Sequence, residues 1–349
     1  NGAFELPVIG EIRAGDAPPL PLSAGCAYKI FTGAPVPEGT QAVVMKEHCQ
    51  DLSGSVKINH RPQAGEHIRR RGEEFLRGKE ILPEGMRITP AIVGLLASLG
   101  QASFMVRKKP TVAVISTGNE LLKPGKNLTA GKIYDSNSYA LIAALEALGI
   151  EEFLPLHCRE EPEETKKVLT LALDFADVII TAGGVSVGDH DYIKPTLEEL
   201  GVKTVFYKIA IKPGKPVYFG VSSLNKKGKR QYIFGLPGNP VSALVTFHQL
   251  VRPAVLKLTG EISQNSARAP EQFKATLMSD LKKQAGRLEF VRALVLTDSG
   301  NLCVYPCQGQ DSHMLGGLAR ANALIMLPSA STGAEPGQQV DVVLLNWYA

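Results

Sequence analysis

The spacing of apolar and polar positions changes character along this chain, and each change marks a division. Residues 1 to about 72 carry short apolar stretches, such as 42–45, among Pro18, Pro19, Pro21, Gly33, Pro35, Pro37 and Gly39. Short runs between turn formers predict small antiparallel sheets. From Thr89, residues 91–96 read as a helix, with Thr89 as N-cap, Pro90 in the first position and Gly100 beyond the end. The pattern then alternates between strand and helix. Residues 111–116 predict a buried strand, and 138–148 a helix with Leu141, Leu145 and Leu148 on one face. Residues 154–157 and 177–181 predict further strands, 162–175 and 192–200 further helices. Three βα units in series imply a parallel, doubly wound sheet.

Strand patterns follow at 204–211, 217–221 and 231–234, then a long helix over 241–258 interrupted by Pro253. Residues 261–272 are polar and read as a linker, after which runs such as 302–305 and 340–345 predict a small β domain. The fold class is α/β multidomain: a central doubly wound, mostly parallel sheet flanked by small β domains. The expected domains are a β-rich one at 1–72, a linking helical and extended one at 73–108, an α/β domain at 109–261 and a small C-terminal β-barrel at 268–349.

The length of 349 residues suits two or three domains, and 44% hydrophobic with 21% charged residues is ordinary for a globular chain. No apolar run approaches the ~18 residues of a membrane span. The start, Asn1-Gly2-Ala3-Phe4-Glu5, has neither an initiator methionine nor a signal-peptide plan, and reads as trimmed upstream. Cys26, Cys49, Cys158, Cys303 and Cys307 are odd in number and scattered, which argues for buried thiols in a reducing, cytoplasmic setting. The net charge of +4 favours anionic ligands without reaching the level of a nucleic-acid binder. The run Arg69-Arg70-Arg71 reads equally as a solvated turn or an anion contact.

In a parallel α/β sheet, ligands bind at the carboxyl ends of the strands. After the first strand comes Ser116-Thr117-Gly118-Asn119-Glu120. After the third comes Gly183-Gly184-Val185-Ser186-Val187-Gly188-Asp189-His190-Asp191. Paired glycines let backbone amides approach a phosphate, and Asp189 and Asp191 suit a divalent cation such as Mg2+ bridging phosphates; His190 reads as a filler. Lys208, Lys212 and Lys215 stand on a turn fixed by Pro213, Gly214 and Pro216, a pre-organised set of anion ligands. Pro237-Gly238-Asn239-Pro240-Val241-Ser242 forms a rigid loop before the long helix, with Asn239 as a plausible cap and Ser242 a donor into an oxyanion pocket.

These four stretches, in this order, resemble the molybdopterin molybdenumtransferases, the MoeA type shared with the E domain of gephyrin. Residues 31–39, the run Arg70-Arg71-Gly72-Glu73-Glu74, and Ile133-Tyr134-Asp135-Ser136-Asn137-Ser138 extend the resemblance over nearly the whole chain. It implies a central sheet of the molybdopterin-binding type in an elongated, four-part homodimer. It also implies insertion of molybdate into adenylyl-molybdopterin with release of AMP. Asp191, Glu120 and Glu160 then resemble the carboxylates that position metal and pyrophosphate, with Asp189, Asp191 and Glu120 as metal ligands. Glu74 and Thr32 resemble contributions from the other subunit. Lys208 would stabilise phosphate charge. Thr117, Gly118, Asp135, Gly183, Gly184, Ser186, Lys212, Lys215, Ser242, Arg292 and Ser312 fall around the pterin phosphate and molybdate, with Pro237 and Pro240 shaping the pocket. The upstream adenylyltransferase is an implied partner. Nucleic acid and a membrane span are not expected.

Asn119 stands where the family has an acidic residue, Glu160 and Glu74 where aspartate is common, and a family segment of the pattern DNSAMDGYA falls upstream of this start. Two rival readings stay open. The related adenylyltransferase branch shares the sheet but lacks the lysine turn and flanking β domains, and a gephyrin-like scaffold would bind a receptor peptide.

Overall fold

Alternating inward and outward residues give the first strand, β1 (Phe4–Ile12), which ends on buried Ile12. It pairs with β2 (Ala27–Ile30), and on its other edge with β4 (Ser55–Ile58), itself paired with β3 (Cys49–Leu52). The β1–β2 pairing is parallel, so this sheet is mixed rather than antiparallel. The apolar run 42–45 is not a strand; the Val43 amide makes a single long-range bond to the carbonyl of Glu66 at 2.9 Å instead of a ladder. The computed structural model describes residues 2–185, 192–223, 228–260, 272–345 and 347. It forms two compact units, Asn1–Pro83 and Glu84–Ala349, where the sequence suggests four domains at 1–72, 73–108, 109–261 and 268–349.

In the second unit α1 (Pro90–Ser98) starts as expected: the Thr89 hydroxyl accepts from the amide of Ile92 at 3.4 Å, and Gly100 follows with φ +74°. The alternating region supplies β5 (Val112–Thr117), the two-residue ribbon β6 (Leu121–Leu122) and β7 (Ile133–Tyr134), then α2 (Asn137–Ala147), β8 (Phe153–Cys158), α3 (Pro162–Phe175), β9 (Val178–Ala182) and α4 (Ile193–Glu199). Leu141 and Leu145 of α2 are fully buried against β5 and β9, as their shared helical face requires.

The run 204–211 divides. Lys208 takes φ +66°, which separates β10 (Val202–Tyr207) from β11 (Ile211–Lys212). β12 (Tyr218–Ser222) and β13 (Tyr232–Leu236) complete a six-stranded sheet of order β10-β12-β13-β9-β5-β8, parallel from β13 to β8. The long helix becomes α5 (Pro240–Thr246), a π-helical turn at Phe247–Val251, and α6 (Arg252–Leu258). Pro253 has no amide to return to the turn before it, so the widened turn falls where the bond is lost.

The C-terminal segment gives β14 (Gln272–Leu277), β15 (Leu281–Lys282), β16 (Leu288–Asp298), β17 (Asn301–Pro306), α7 (Leu315–Arg320), β18 (Ala323–Leu327), β19 (Gly333–Ala334) and β20 (Gln339–Leu344). β16, β17, β14, β20 and β18 pair in sequence, and a β16–β18 pairing closes the ring. β11 adds to β16 in parallel, so the lysine turn that follows it leaves one sheet and enters the other. Phe290, Leu318, Leu324 and Leu345 from this segment share a core with Leu141, Val241 and Phe247 of the α/β layer, which is why the two form one unit. Among the described residues no helix is long and apolar enough to cross a membrane.

Candidate functional site

The parallel neighbours β5, β9 and β13 end at one edge, and their last residues pack on each other there. Gly183 takes φ +95° and its amide donates to the carbonyl of Leu236 at 3.0 Å. A Cβ on Gly183 would lie 2.5 Å from Thr117 Oγ1, and one on Gly238 3.8 Å from Gly183 Cα. Glycine at 183 therefore lets the ends of β5 and β13 close on the turn from both sides. Gly184, at φ +65°, leaves no room for a side chain beside Ile193 at the start of α4.

The carboxylates expected for phosphate and metal are partly visible. Glu120 folds back over Gly118, whose φ is +145° and where a Cβ would come within 2.5 Å of Glu120 Oε2. The side chain of Asn119 accepts from the Glu160 amide at 3.4 Å, tying the end of β5 to the end of β8. Thr117, Glu160 and Gly184 line one small cavity together with Cys158, whose thiol pKa is raised by burial. Among the described residues no group of three His, Cys, Asp or Glu side chains converges as a metal site. Ser186, Asp189, His190 and Asp191 lie outside the described residues.

Asp135 is buried and its carboxylate is occupied: Oδ1 accepts from the Ser138 amide at 3.0 Å and Oδ2 from the Ser138 hydroxyl at 2.6 Å. It holds the start of α2. Asn137, next to it, donates from Nδ2 to the Gly238 carbonyl at 2.7 Å. An open cavity of about 740 Å3 lies beside this turn, with Tyr134, Asp135, Ser136 and Tyr139 in its wall.

The lysines divide their roles. Lys208 is exposed at the end of β10, its ammonium 4.9 Å from the centroid of the Tyr207 ring. Lys212 is paired with Glu289 of β16 at 2.9 Å, so part of its charge serves the joint between the two sheets. Lys215 stands exposed on the same turn. A side chain on Gly214, at φ +104°, would collide with Thr246 of α5, so the turn lies flat on that helix.

Arg292 is held by its own segment. Its side chain is 1% exposed, and its guanidinium donates to the carbonyls of Gly309 at 2.6 Å and of Asp311 and Met314 at 3.2 Å, with Gln310 Oε1 at 3.3 Å from Nε. It fixes the segment that carries Ser312. Burial lowers its pKa. Asn239 is a correction: it precedes α5 but makes no side-chain cap, and its Nδ2 donates to Ser312 Oγ at 2.8 Å. Ser242 is buried in the first turn of α5, behind Pro240. Pro237 continues from buried Leu236 into the loop whose next carbonyl Asn137 holds. Thr32 and Glu74 are exposed turn residues of the first unit, where Arg69, Arg70 and Arg71 are exposed as well.

Sequence reasoning missed Asn137 and Tyr207, and took Asn239 for a cap. An asparagine before proline reads as a cap; only the arrival of Ser312 from the C-terminal segment gives it another partner.

Three family models match in chain order. The MoeA N-terminal region (domain I and II) matches residues 2–100, a probable molybdopterin binding domain 113–257, and the MoeA C-terminal region (domain IV) 274–345. A molybdopterin molybdenumtransferase of Haemophilus influenzae is 38% identical over 99% of this chain and 83% of its own length. One from Staphylococcus epidermidis is 36% identical over 98% and 79%. The crystal structure of a molybdopterin biosynthesis MoeA protein from Pyrococcus horikoshii superposes with a TM-score of 0.78 at 28% identity, covering 98% of this chain and 81% of that one. At this identity and coverage, the chain belongs to the molybdopterin molybdenumtransferase family.

Proposed function

We propose that this chain inserts molybdate into adenylyl-molybdopterin and releases AMP, completing molybdenum cofactor. The observation that carries the reading is the meeting of Thr117, Gly183 and Gly238 at the carboxyl ends of three adjacent parallel strands, with Tyr207, next to Lys208, bonded to the Val185 carbonyl after the glycine turn. The glycine turn beyond Gly183, whose own amide is held by Leu236, and the ammonium groups of Lys208 and Lys215 suit a pyrophosphate. Molybdate is a tetrahedral dianion, and its approach to a pyrophosphate and two thiolates requires cations and directed donors to offset repulsion. Ser312, held by Asn239 and by the Arg292-anchored segment, is the hydroxyl donor from the C-terminal ring.

Glu120, Asp189 and Asp191 would supply the hard oxygen donors for Mg2+, and the ion would neutralise charge on a phosphoanhydride. Glu160 orders the neighbouring strand end through Asn119. The proposal extends to a homodimer in the cytoplasm, served by an adenylyltransferase. It is supported by α1, which buries only Ile92, and by Phe104, Met105 and Val106, all exposed, Met105 by 97%. Thr32 and Glu74 are the first unit's contribution to a second copy.

The test is product identification. Purified chain incubated with adenylyl-molybdopterin should release AMP only when molybdate is added. Accumulation of adenylyl-molybdopterin from molybdopterin and ATP would favour the adenylyltransferase instead. Tight binding of a receptor peptide with no effect of molybdate on bound nucleotide would favour the scaffold.

A further inference from the structure

Tyr207 is engaged on two sides by groups that the proposed reaction needs. Its hydroxyl donates to the carbonyl of Val185 at 3.3 Å, directly after the Gly183-Gly184 turn. Its ring carries the Lys208 ammonium at 4.9 Å from the centroid, with Lys194 Nζ at 6.0 Å; Lys194 is itself paired with Glu198 at 2.9 Å. Both ends of this arrangement are anchored. Val185 is buried, and a side chain at Gly235 of β13 would collide with it, so the carbonyl that Tyr207 holds belongs to a fixed point of the sheet edge. Tyr207 lies opposite Tyr218 in the β10–β12 ladder, and the Lys208 amide donates to the Val217 carbonyl at 2.8 Å.

From these contacts we infer that Tyr207 is a positioning residue, which sets the Lys208 ammonium and the Gly183–Val185 turn at a fixed separation so that both address one anionic group. The inference rests on the pyrophosphate reading above. A free lysine head is a mobile point charge on a four-carbon stem, and ordering it on binding opposes affinity. Resting on the electron-rich face of Tyr207, it is already gathered over one spot. The hydroxyl makes the same ring the brace of the glycine turn, so the cation and the backbone amides move as one body. Lys194 differs, because Glu198 holds its charge.

The experiment is isothermal titration of the full chain with inorganic pyrophosphate, with thermal melting to confirm folding of every variant. Tyr207→Phe keeps the ring face and loses the brace; its affinity should fall by no more than about twofold. Tyr207→Leu loses both, and should bind about two- to fivefold more weakly, the range of an exposed cation–π contact. The decisive arm is the cycle with Lys208→Met. Once the Lys208 ammonium is gone the ring face no longer acts on it, so adding Tyr207→Leu to Lys208→Met should cost no more than the loss of the brace, the twofold of Tyr207→Phe. Should Tyr207→Leu not fold, Tyr207→Met serves as the second variant without an aromatic face. Wild-type affinity in the face-less variants, or full additivity in the cycle, would overturn the inference while leaving the pyrophosphate site standing. Absence of pyrophosphate binding by the wild-type chain would sink the pyrophosphate reading and this inference with it.

Discussion

Asn239 Nδ2 donates to Ser312 Oγ at 2.8 Å, joining the loop that opens α5 to a segment 73 residues downstream in the C-terminal ring. The Val241 amide donates to the Ser312 carbonyl at 3.2 Å, so the loop is held at two points. The loop that opens α5 and the segment after β17 thus meet at one serine, beside the strand ends of the candidate site. If Ser312 is the oxyanion donor, Asn239→Ala should raise the KM for molybdate about three- to tenfold, the effect of one hydrogen bond, and leave pyrophosphate affinity unchanged. Ser312→Ala should do the same, and the double variant little more than either alone. Steady-state kinetics with molybdate as the varied substrate checks this.

Arg292→Met should lower stability by about 1–3 kcal/mol, because it removes the charged donor from the carbonyls of Gly309, Asp311 and Met314. Arg292→Lys should rescue little, since an ammonium cannot reproduce the planar fork. Urea unfolding measures both.

Gly183→Ala should impair both fold and function. The added carbon meets Thr117 Oγ1, and the φ of +95° costs a side-chain-bearing residue about 1–3 kcal/mol. Loss of pyrophosphate affinity beyond the loss of stability, read by titration below the melting range, is the expected outcome.

His248 sets an acid limit on stability. It lies in the π-helical turn, 1% exposed, edge-on to Trp347, and burial, with the nearby charge of Arg252, pushes its pKa down to about 4. Its folded value lies below its unfolded one, so above about pH 6.5 both states are neutral and no penalty exists. As pH falls toward 4 the unfolded chain takes up a proton that the folded one refuses, and stability is lost. The expected contribution is roughly 2 kcal/mol between about pH 7.5 and 5, and His248→Phe should remove that part of the slope. Urea unfolding at the two pH values decides it.

The βα alternation was legible because Leu141, Leu145 and Leu148 repeat at helical spacing and residues 112–115 form an unbroken apolar run. The site's glycines and lysines were legible because strand ends in such a sheet are where chemistry collects. What escaped depends on contacts distant in sequence. Nothing local shows that Asn239 reaches Ser312, that Arg292 faces its own segment's carbonyls, or that Tyr207 braces Val185. The division at Lys208 also escaped, because apolar spacing runs on from 204 to 211 while the backbone turns left-handed between. The parallel β1–β2 pairing was hidden because the intervening residues carry hairpin-like turn formers.

Co-crystallisation with adenylyl-molybdopterin and molybdate tests the central claim most directly. The account predicts pyrophosphate density against Gly183, Gly184 and Lys208, with the oxyanion beside Lys215 and Ser312. Density for either ligand lying wholly away from the carboxyl ends of β5, β9 and β13 would contradict it.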